Sequence, residues 1–229
     1  TFVQARLRPT VKAWGPPEPT DLAPLKKAGL PIMATGTLHV FGDTFILALV
    51  GVLLSAEDAG AYRIAFQIVT AISIFTVYTE SYVSAKIAAD YRAGDIERMW
   101  QRHRRASLFV TLLASPILIV GIFFPEWLLN LAFGAEFVRA APVVRVLALA
   151  QVVAVVAGPV GRVLLMCGRQ DANFVIAIAA ISMLISLSLI LVPRFGIEGA
   201  AYAAAISTIV RTVGSTIYAR LFLRPERVA

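Results

Sequence analysis

The sequence predicts an all-α fold, a polytopic membrane bundle of six transmembrane helices. Of its 229 residues, 59% are hydrophobic and only 15% are charged, and the mean hydropathy is +0.78. A soluble domain of this length could not bury so much apolar side chain, because its surface must be largely polar. The charged residues also cluster between apolar stretches, so we expect the chain to reside in a membrane.

Six apolar stretches are long enough to cross a bilayer, which takes roughly 20 mostly apolar residues. Polar residues, glycine or proline separate each stretch from the next. The predicted spans are residues 29–54, 60–88, 106–124, 142–167, 173–192 and 199–222, within one transmembrane lobe over residues 29–223.

Proline and glycine mark the start of the first span and the predicted bends of two others. Pro31 lies in the first turn of its span, where a missing amide hydrogen costs nothing. Pro116 predicts a kink in the third span, and Gly158–Pro159 predicts another in the fourth.

The distribution of basic residues predicts which side of the membrane each end occupies. The positive-inside rule places both ends of the chain in the cytoplasm. Residues 1–28 contain the run WGPPEP at 14–19, so we expect a cytoplasmic Pro-rich linker there and a cytoplasmic tail over 224–229. The basic positions are Arg6, Arg8, Lys12, Lys26, Lys27, Arg92, Arg98, Arg102, Arg104, Arg105, Arg169, Arg220, Arg224 and Arg227. The opposite loops hold Glu57, Asp58, Glu126, Glu136, Arg139, Arg194 and Glu198.

The net charge of +7 would suggest nucleic-acid binding in a soluble protein. Here the basic residues occupy short loops and form no nucleic-acid-binding motif. We therefore expect them to contact anionic membrane lipids, with no nucleic-acid partner.

On the first span, Thr35, His39 and Asp43 are spaced by four residues and share one helix face. Asp43 lies near mid-membrane, where ionisable residues often mark function. One interpretation is a carboxylate that takes up a proton or a sodium ion, with His39 as its partner. The other is a structural hydrogen bond or buried ion pair between helices.

The second span carries a polar stripe that a helix facing only lipid would not keep. We expect this stripe to face a neighbouring helix or a water-filled cavity. Arg63 is also placed to reach the interface, and Glu80 to pair with Lys86 or a loop arginine. The stripe consists of Arg63, Gln67, Thr70, Ser73, Glu80 and Ser84.

The last span combines small residues with a deep arginine. Gly199, Ala203 and Ser207 recur every four residues, which permits close helix contact, and Arg211 continues the line. A guanidinium at this depth needs an anionic partner, either Asp43 or Glu80 or a phosphate-bearing substrate. On the fourth span Gln151 and Arg162 flank the predicted kink, and we interpret Arg162 as an orientation anchor.

No catalytic constellation is expected. The sequence has no phosphate-binding glycine loop, HExxH or CxxC motif, and we predict no catalytic residue, metal or cofactor. We interpret Cys167, the only cysteine, as inert packing and His103 as a residue of a basic loop.

Five short motifs, in order along the chain, resemble the C-terminal half of the polysaccharide and oligosaccharide flippases in the multidrug/oligosaccharidyl-lipid/polysaccharide exporter superfamily. They combine an acid-then-aliphatic run, an acidic loop before Gly-x-Tyr, and glycine turns at both membrane surfaces. The motifs are DTFIL at 43–47, EDAGAY at 57–62, ADYRAGD at 89–95, LAFGAEF at 131–137 and IEGAA at 197–201.

The resemblance implies one lobe of a two-lobe transporter that moves a polyprenyl-pyrophosphate-linked oligosaccharide by alternating access. The partners would be this lipid-linked oligosaccharide, membrane lipids and a missing N-terminal lobe of the same polypeptide, since the sequence begins at Thr1. Arg211, Arg63, Gln67, Thr70 and Ser207 would then bind substrate, with the arginines at its negative charge and Gln67 and Thr70 at its hydroxyl groups. Asp43 or Glu80, with His39 as a possible partner, would couple transport to an ion. The bundle would lie in a bacterial inner membrane. The alternatives are a multidrug or cation antiporter, which the mixture of arginine and acid disfavours, and a non-transporting scaffold for glycan assembly.

Overall fold

The structure, a computed structural model, describes residues 23–223, apart from the side chains of residues 23–28 and Glu80. The rest of the predicted linker and the predicted tail lie outside the described residues. The elements are α1 (Ala23–Leu53), α2 (Ala56–Arg92), α3 (Ile96–Phe123), α4 (Pro125–Phe133), a 3-10 helix (Ala135–Ala140), α5 (Ala141–Ala157), α6 (Val160–Met166) and α7 (Gln170–Phe222).

The last helix, α7, is two spans rather than one. It runs for 53 residues and loses helical geometry at Gly196, where φ is 59° and ψ is −137°. The Ser207 hydroxyl donates to the Ala180 carbonyl at 2.8 Å, and a Cβ on Gly199 would lie 2.2 Å from the Leu191 carbonyl oxygen. Residues on either side of Gly196 therefore pair in reverse order, as in an antiparallel hairpin.

This hairpin explains how five long apolar helices give the six predicted membrane crossings. Within residues 23–223, five helices are long and apolar enough to cross a membrane, and α7 is counted once among them. Because α7 reverses at Gly196, the first arm (residues 170–195) and the second arm (residues 197–222) each supply one crossing. The bundle is helical and membrane-spanning, as predicted.

Two helix boundaries differ from the sequence-based bounds for the same physical reason. Helix α3 begins at Ile96 rather than at residue 106, because the Asp95 side chain accepts from the Arg98 amide and caps the first turn. Helix α1 begins at Ala23, within the predicted linker. Hydropathy identifies only the apolar part of a helix, whereas capping and backbone hydrogen bonds extend both helices into polar sequence.

His103 is therefore on a helix and not in a loop. Its side chain is buried, and its Nε2 atom lies 3.1 Å from the Ala157 carbonyl oxygen. Because a carbonyl can only accept, Nε2 carries the hydrogen in this contact. His103 thus satisfies a carbonyl at the end of α5, where the helix has no further amide to offer.

The predicted bend at Gly158–Pro159 is a complete break. It separates α5 from α6, and Gly158 has a φ of 72°. A Cβ at Gly158 would lie 1.8 Å from the Ser107 hydroxyl oxygen, so only glycine fits both the backbone geometry and the close approach of α3. At Pro116, by contrast, α3 continues without interruption. Because Pro116 has no amide hydrogen, the Leu112 carbonyl lacks its usual helical partner. The Ser115 hydroxyl donates to that carbonyl at 2.8 Å instead.

Ion pairs join neighbouring helices at the end of the bundle that holds Gly196, which we call the acidic end. Arg139 lies 3.6 Å from Glu57 and 3.5 Å from Asp58, and Arg145 donates to Glu126 at 3.1 Å. The opposite end, which we call the basic end, holds the α2–α3 turn, the α6–α7 turn and Leu223.

The outer surface of the bundle is apolar. Large side chains such as Leu30, Met33, Val52 and Leu112 are between 72% and 82% exposed. A soluble protein rarely presents such a surface, whereas lipid tails cover it without penalty. The chain is a multi-pass membrane protein.

Candidate functional site

The polar stripe of α1 passes from the interior of the bundle to its surface. Thr35 is buried, and its hydroxyl donates to the Pro31 carbonyl at 2.8 Å. His39 is half-buried and Asp43 is exposed. The three residues share a helix face as predicted, but of the three only Asp43 is exposed on the surface of the lobe.

Asp43 lies in a cluster of charges from three helices. The Arg211 guanidinium acts electrostatically on the Asp43 carboxylate, and Arg63 acts on it more weakly. Arg211 also acts on His39, and the Asp43 charge acts on the Tyr62 hydroxyl. The structure thus brings together the first, second and last spans at the residues that the sequence singled out. We call Asp43, Arg63 and Arg211 the charge cluster.

The polar stripe of α2 divides into two parts with different surroundings. Arg63, Gln67 and Thr70 are exposed on the surface of the lobe. Ser73 is half-buried, and the Gln151 amide lies 3.4 Å from its hydroxyl. The first part therefore continues the surface that carries Asp43, whereas Ser73 faces the interior of the bundle.

A polar cavity of about 450 Å³ lies inside the bundle next to this surface. Five helices line it (α1, α2, α5, α6 and α7), and Arg211 belongs both to its wall and to the charge cluster. The polar residues in its wall include Thr35, His39, Ser73, Thr76, Gln151, Arg162, Asn173, Arg211, Thr212 and Ser215. Arg162, which the sequence suggested as an orientation anchor, lies in the same wall as Arg211.

The break at Gly158–Pro159 also forms part of this wall. At the break, α5 stops and α6 starts without a continuous hydrogen-bond ladder, which leaves Gly158, Pro159 and Gly161 against the cavity. Non-helical backbone inside a membrane is tolerated where it is buried in protein or lines a cavity. The break is therefore consistent with a polar, hydrated interior.

The remaining predicted site residues are Ser207 and Glu80. Ser207 is buried, and its hydroxyl donates to the Ala180 carbonyl, so it holds the two arms of α7 together. The Glu80 side chain lies outside the described residues.

Tyr62 and Asn173 were not among the candidates, although both lie close to them. Tyr62 is 1% exposed, and its hydroxyl has no hydrogen-bond partner within residues 23–223. Asn173 lies in the cavity wall near Gly161. Tyr62 belongs to the EDAGAY motif, but the motif does not indicate that the Tyr62 ring is buried or that Asp43 acts on its hydroxyl. In the sequence, Asn173 is the first residue of a predicted span, and nothing in its spacing indicates a place in a cavity wall.

The helices, the apolar outer surface and the charges at mid-membrane define a class, that of polytopic helical membrane proteins with a polar interior. Comparison with known proteins gives the family. The chain belongs to the MatE family, whose model matches residues 31–192, well over half of its length. This confirms the predicted resemblance, and the family points to transport rather than to enzyme chemistry.

Two relatives carry names from glycan metabolism. A probable low-salt glycan biosynthesis flippase, Agl15 of Haloferax volcanii, is 24% identical over 177 residues, which cover 77% of this chain and 38% of that protein. The teichuronic acid biosynthesis protein TuaB of Bacillus subtilis is 26% identical over 168 residues, which cover 71% of this chain and 34% of that protein. This chain therefore spans little more than a third of the length of these curated relatives.

Proposed function

We propose that the chain is one lobe of a flippase that moves a polyprenyl-pyrophosphate-linked oligosaccharide across the bacterial inner membrane by alternating access. The second lobe would be an N-terminal part of the same polypeptide. The observation that carries the proposal is the charge cluster, which lies beside the polar cavity of the bundle. The names of both relatives, one a glycan flippase and one a teichuronic acid biosynthesis protein, support a glycan cargo.

The balance of charge in the cluster favours an anionic substrate. The charge cluster combines two guanidinium groups with one carboxylate. A charge at the centre of a membrane helix costs about 2.5–3.5 kcal/mol on insertion scales, so charged groups that are kept there often mark function. Arginine binds phosphate oxygens through two parallel hydrogen bonds, and we assign Arg211 and Arg63 to the pyrophosphate.

The neighbouring exposed residues of α2 suit the sugar. Gln67 and Thr70 lie on the same face as Arg63, at steps of four and three residues, and both are exposed. Their amide and hydroxyl groups can donate to and accept from sugar hydroxyls. Phosphate would then lie near Arg63 and Arg211, with the first sugars along Gln67 and Thr70.

Asp43 supplies a means of coupling transport to an ion. Its carboxylate competes with the substrate phosphate for Arg211, because both are anions that act on the same guanidinium. A proton or sodium ion bound at Asp43 removes that competition and strengthens the attraction of Arg211 for phosphate. Loss of the ion restores the competition and favours release. His39, on which Arg211 also acts, and Glu80 remain the further candidates for this role.

Export of glycan by cells that carry the intact protein tests these assignments. Arg211→Ala removes a charged hydrogen-bond donor worth about 1.5–3 kcal/mol, so we expect export to fall by roughly tenfold or more. Asp43→Ala should also reduce export. Arg194→Ala is the matched control, because this exposed arginine lies on α7 near the acidic end, and it should export normally. If both Arg211→Ala and Asp43→Ala export glycan at the unmodified rate, the site assignment is wrong.

A further inference from the structure

A groove runs between α2 and α3 at the basic end of the bundle, away from the charge cluster. We call it the α2–α3 groove. It has a volume of about 520 Å³, and its wall includes Tyr78, Tyr82, Lys86, Arg102, Arg105 and Phe109. Three of these side chains are cationic and three are aromatic, which is an unusual composition for a site that only separates two helices.

The three cations lie closer to the ends of α2 and α3 than the rings of Tyr78 and Phe109 do. With a rise of about 1.5 Å per residue, Lys86, Arg102 and Arg105 are roughly 9–14 Å from the ends of their helices. Tyr78 and Phe109 are roughly 20 Å from those ends, deeper in the membrane. Because both helices extend beyond the apolar region at this end, the cations fall at the level of lipid head groups and the rings at the level of lipid chains.

Local contacts hold the cations in place at the mouth. The Lys86 ammonium donates to the Tyr82 hydroxyl at 3.1 Å and lies 4.3 Å above the centroid of the same ring. The Nε atom of Arg102 donates to the buried Asp90 carboxylate. Asp90 offsets one of the three positive charges, so the mouth carries an excess of two.

The groove is separate from the face that we assign to the cargo. At 3.6 residues per turn, Tyr82 and Lys86 are turned roughly 60–140° around α2 from Arg63 and Gln67. The inference therefore does not depend on the proposed function.

We propose that the α2–α3 groove is a specific binding site for an anionic bilayer phospholipid, with the phosphodiester head group between Lys86, Arg102 and Arg105 and an acyl chain along Tyr78 and Phe109. Basic pockets between membrane helices are suited to phosphate head groups. The aromatic walls give an acyl chain a defined path. Specific binding in the groove therefore differs from non-specific electrostatic attraction of lipid head groups to the protein surface.

A tryptophan reporter in the full-length protein tests this site. Phe109→Trp places the reporter in the groove, with the other tryptophans replaced by phenylalanine. The protein is reconstituted in lipid nanodiscs, and quenching is compared for phosphatidylglycerol and phosphatidylcholine with brominated chains. We expect phosphatidylglycerol to be preferred, and Lys86→Gln and Arg105→Gln each to lower that preference about fivefold.

Arg104→Gln is the matched control, because Arg104 is an exposed arginine on the same helix that does not line the groove. It should keep the full preference, as should Arg211→Gln in the charge cluster. The proposal is overturned if the reporter shows no preference or if Arg104→Gln lowers it as much as Arg105→Gln. It is also overturned if inorganic phosphate at millimolar concentration abolishes the preference, since the occupant would then be a free anion.

Discussion

Asp43 lies on an exposed face of α1 near the middle of the apolar span Gly29–Leu53, where two arginines from other helices act electrostatically on it. A lone carboxylate at this depth would be costly, and a carboxylate fully neutralised by one arginine would be a structural pair. Two arginines act on one carboxylate here, and guanidinium groups can also bind phosphate oxygens. We therefore propose the charge cluster as a binding site and not as an ion pair that only holds helices together.

Sequence periodicity identified most of these residues, but not the direction in which each one faces. The spacing of Thr35, His39 and Asp43 shows that they share a face. It does not show that the face turns from the interior at Thr35 to the surface at Asp43, because that depends on where α1 meets α7. Ser207 was grouped with Arg211 for the same reason, although its hydroxyl binds the Ala180 carbonyl.

Cysteine accessibility separates a transporter from a packed scaffold at the level of single residues. In a background without Cys167, Gln67→Cys should react with a water-soluble maleimide, because Gln67 lies on the face that we expect to line a hydrated cavity. Ser207→Cys is the control and should be protected, since Ser207 is buried between the arms of α7. Equal protection of both positions in the intact protein would support the scaffold.

Among the elements, the α7 hairpin determines the number of crossings. Hydropathy separated its two arms correctly, because residues 193–198 are more polar than their surroundings. The sequence did not reveal how closely the arms approach. That distance depends on Gly199, whose missing side chain lets the second arm lie against the Leu191 carbonyl.

Substitution of Gly199 should therefore destabilise the hairpin. In Gly199→Ala the new Cβ would lie 2.2 Å from the Leu191 oxygen, and we expect a cost of about 1–3 kcal/mol for overpacking. Gly214→Ala on the same arm is the control, because its Cβ would lie 3.4 Å from Ile176, an ordinary contact. The midpoint of thermal unfolding in detergent should fall for Gly199→Ala and stay the same or rise for Gly214→Ala. Equal midpoints would contradict the close packing of the arms.

For the whole molecule, six crossings return the chain to the side of the membrane on which it begins. The positive-inside rule predicts that this side, the basic end, is the cytoplasm. Composition was enough to predict the bundle and its span count, because both depend on apolar length alone. The polar cavity could not be predicted in the same way, since it requires knowing how five helices meet around Gly158.

Labelling of intact cells tests this orientation. Glu57→Cys and Glu136→Cys, at exposed positions of the acidic end, should react with a membrane-impermeant maleimide in the absence of Cys167. Asp95→Cys and Arg169→Cys, exposed at the basic end, should react only after the membrane is permeabilised. The opposite labelling pattern would contradict the prediction that the basic end faces the cytoplasm.

The most direct test of the account is flipping by the purified full-length protein in vesicles. A fluorescent polyprenyl-pyrophosphate-linked oligosaccharide is placed in both leaflets, and the fraction that an outside quencher can reach is followed over time. We predict fast exchange between leaflets for the unmodified protein, a rate lower by roughly tenfold or more for Arg211→Gln, and an unchanged rate for Arg194→Gln. A rate for the unmodified protein equal to that of protein-free vesicles would contradict the proposed function.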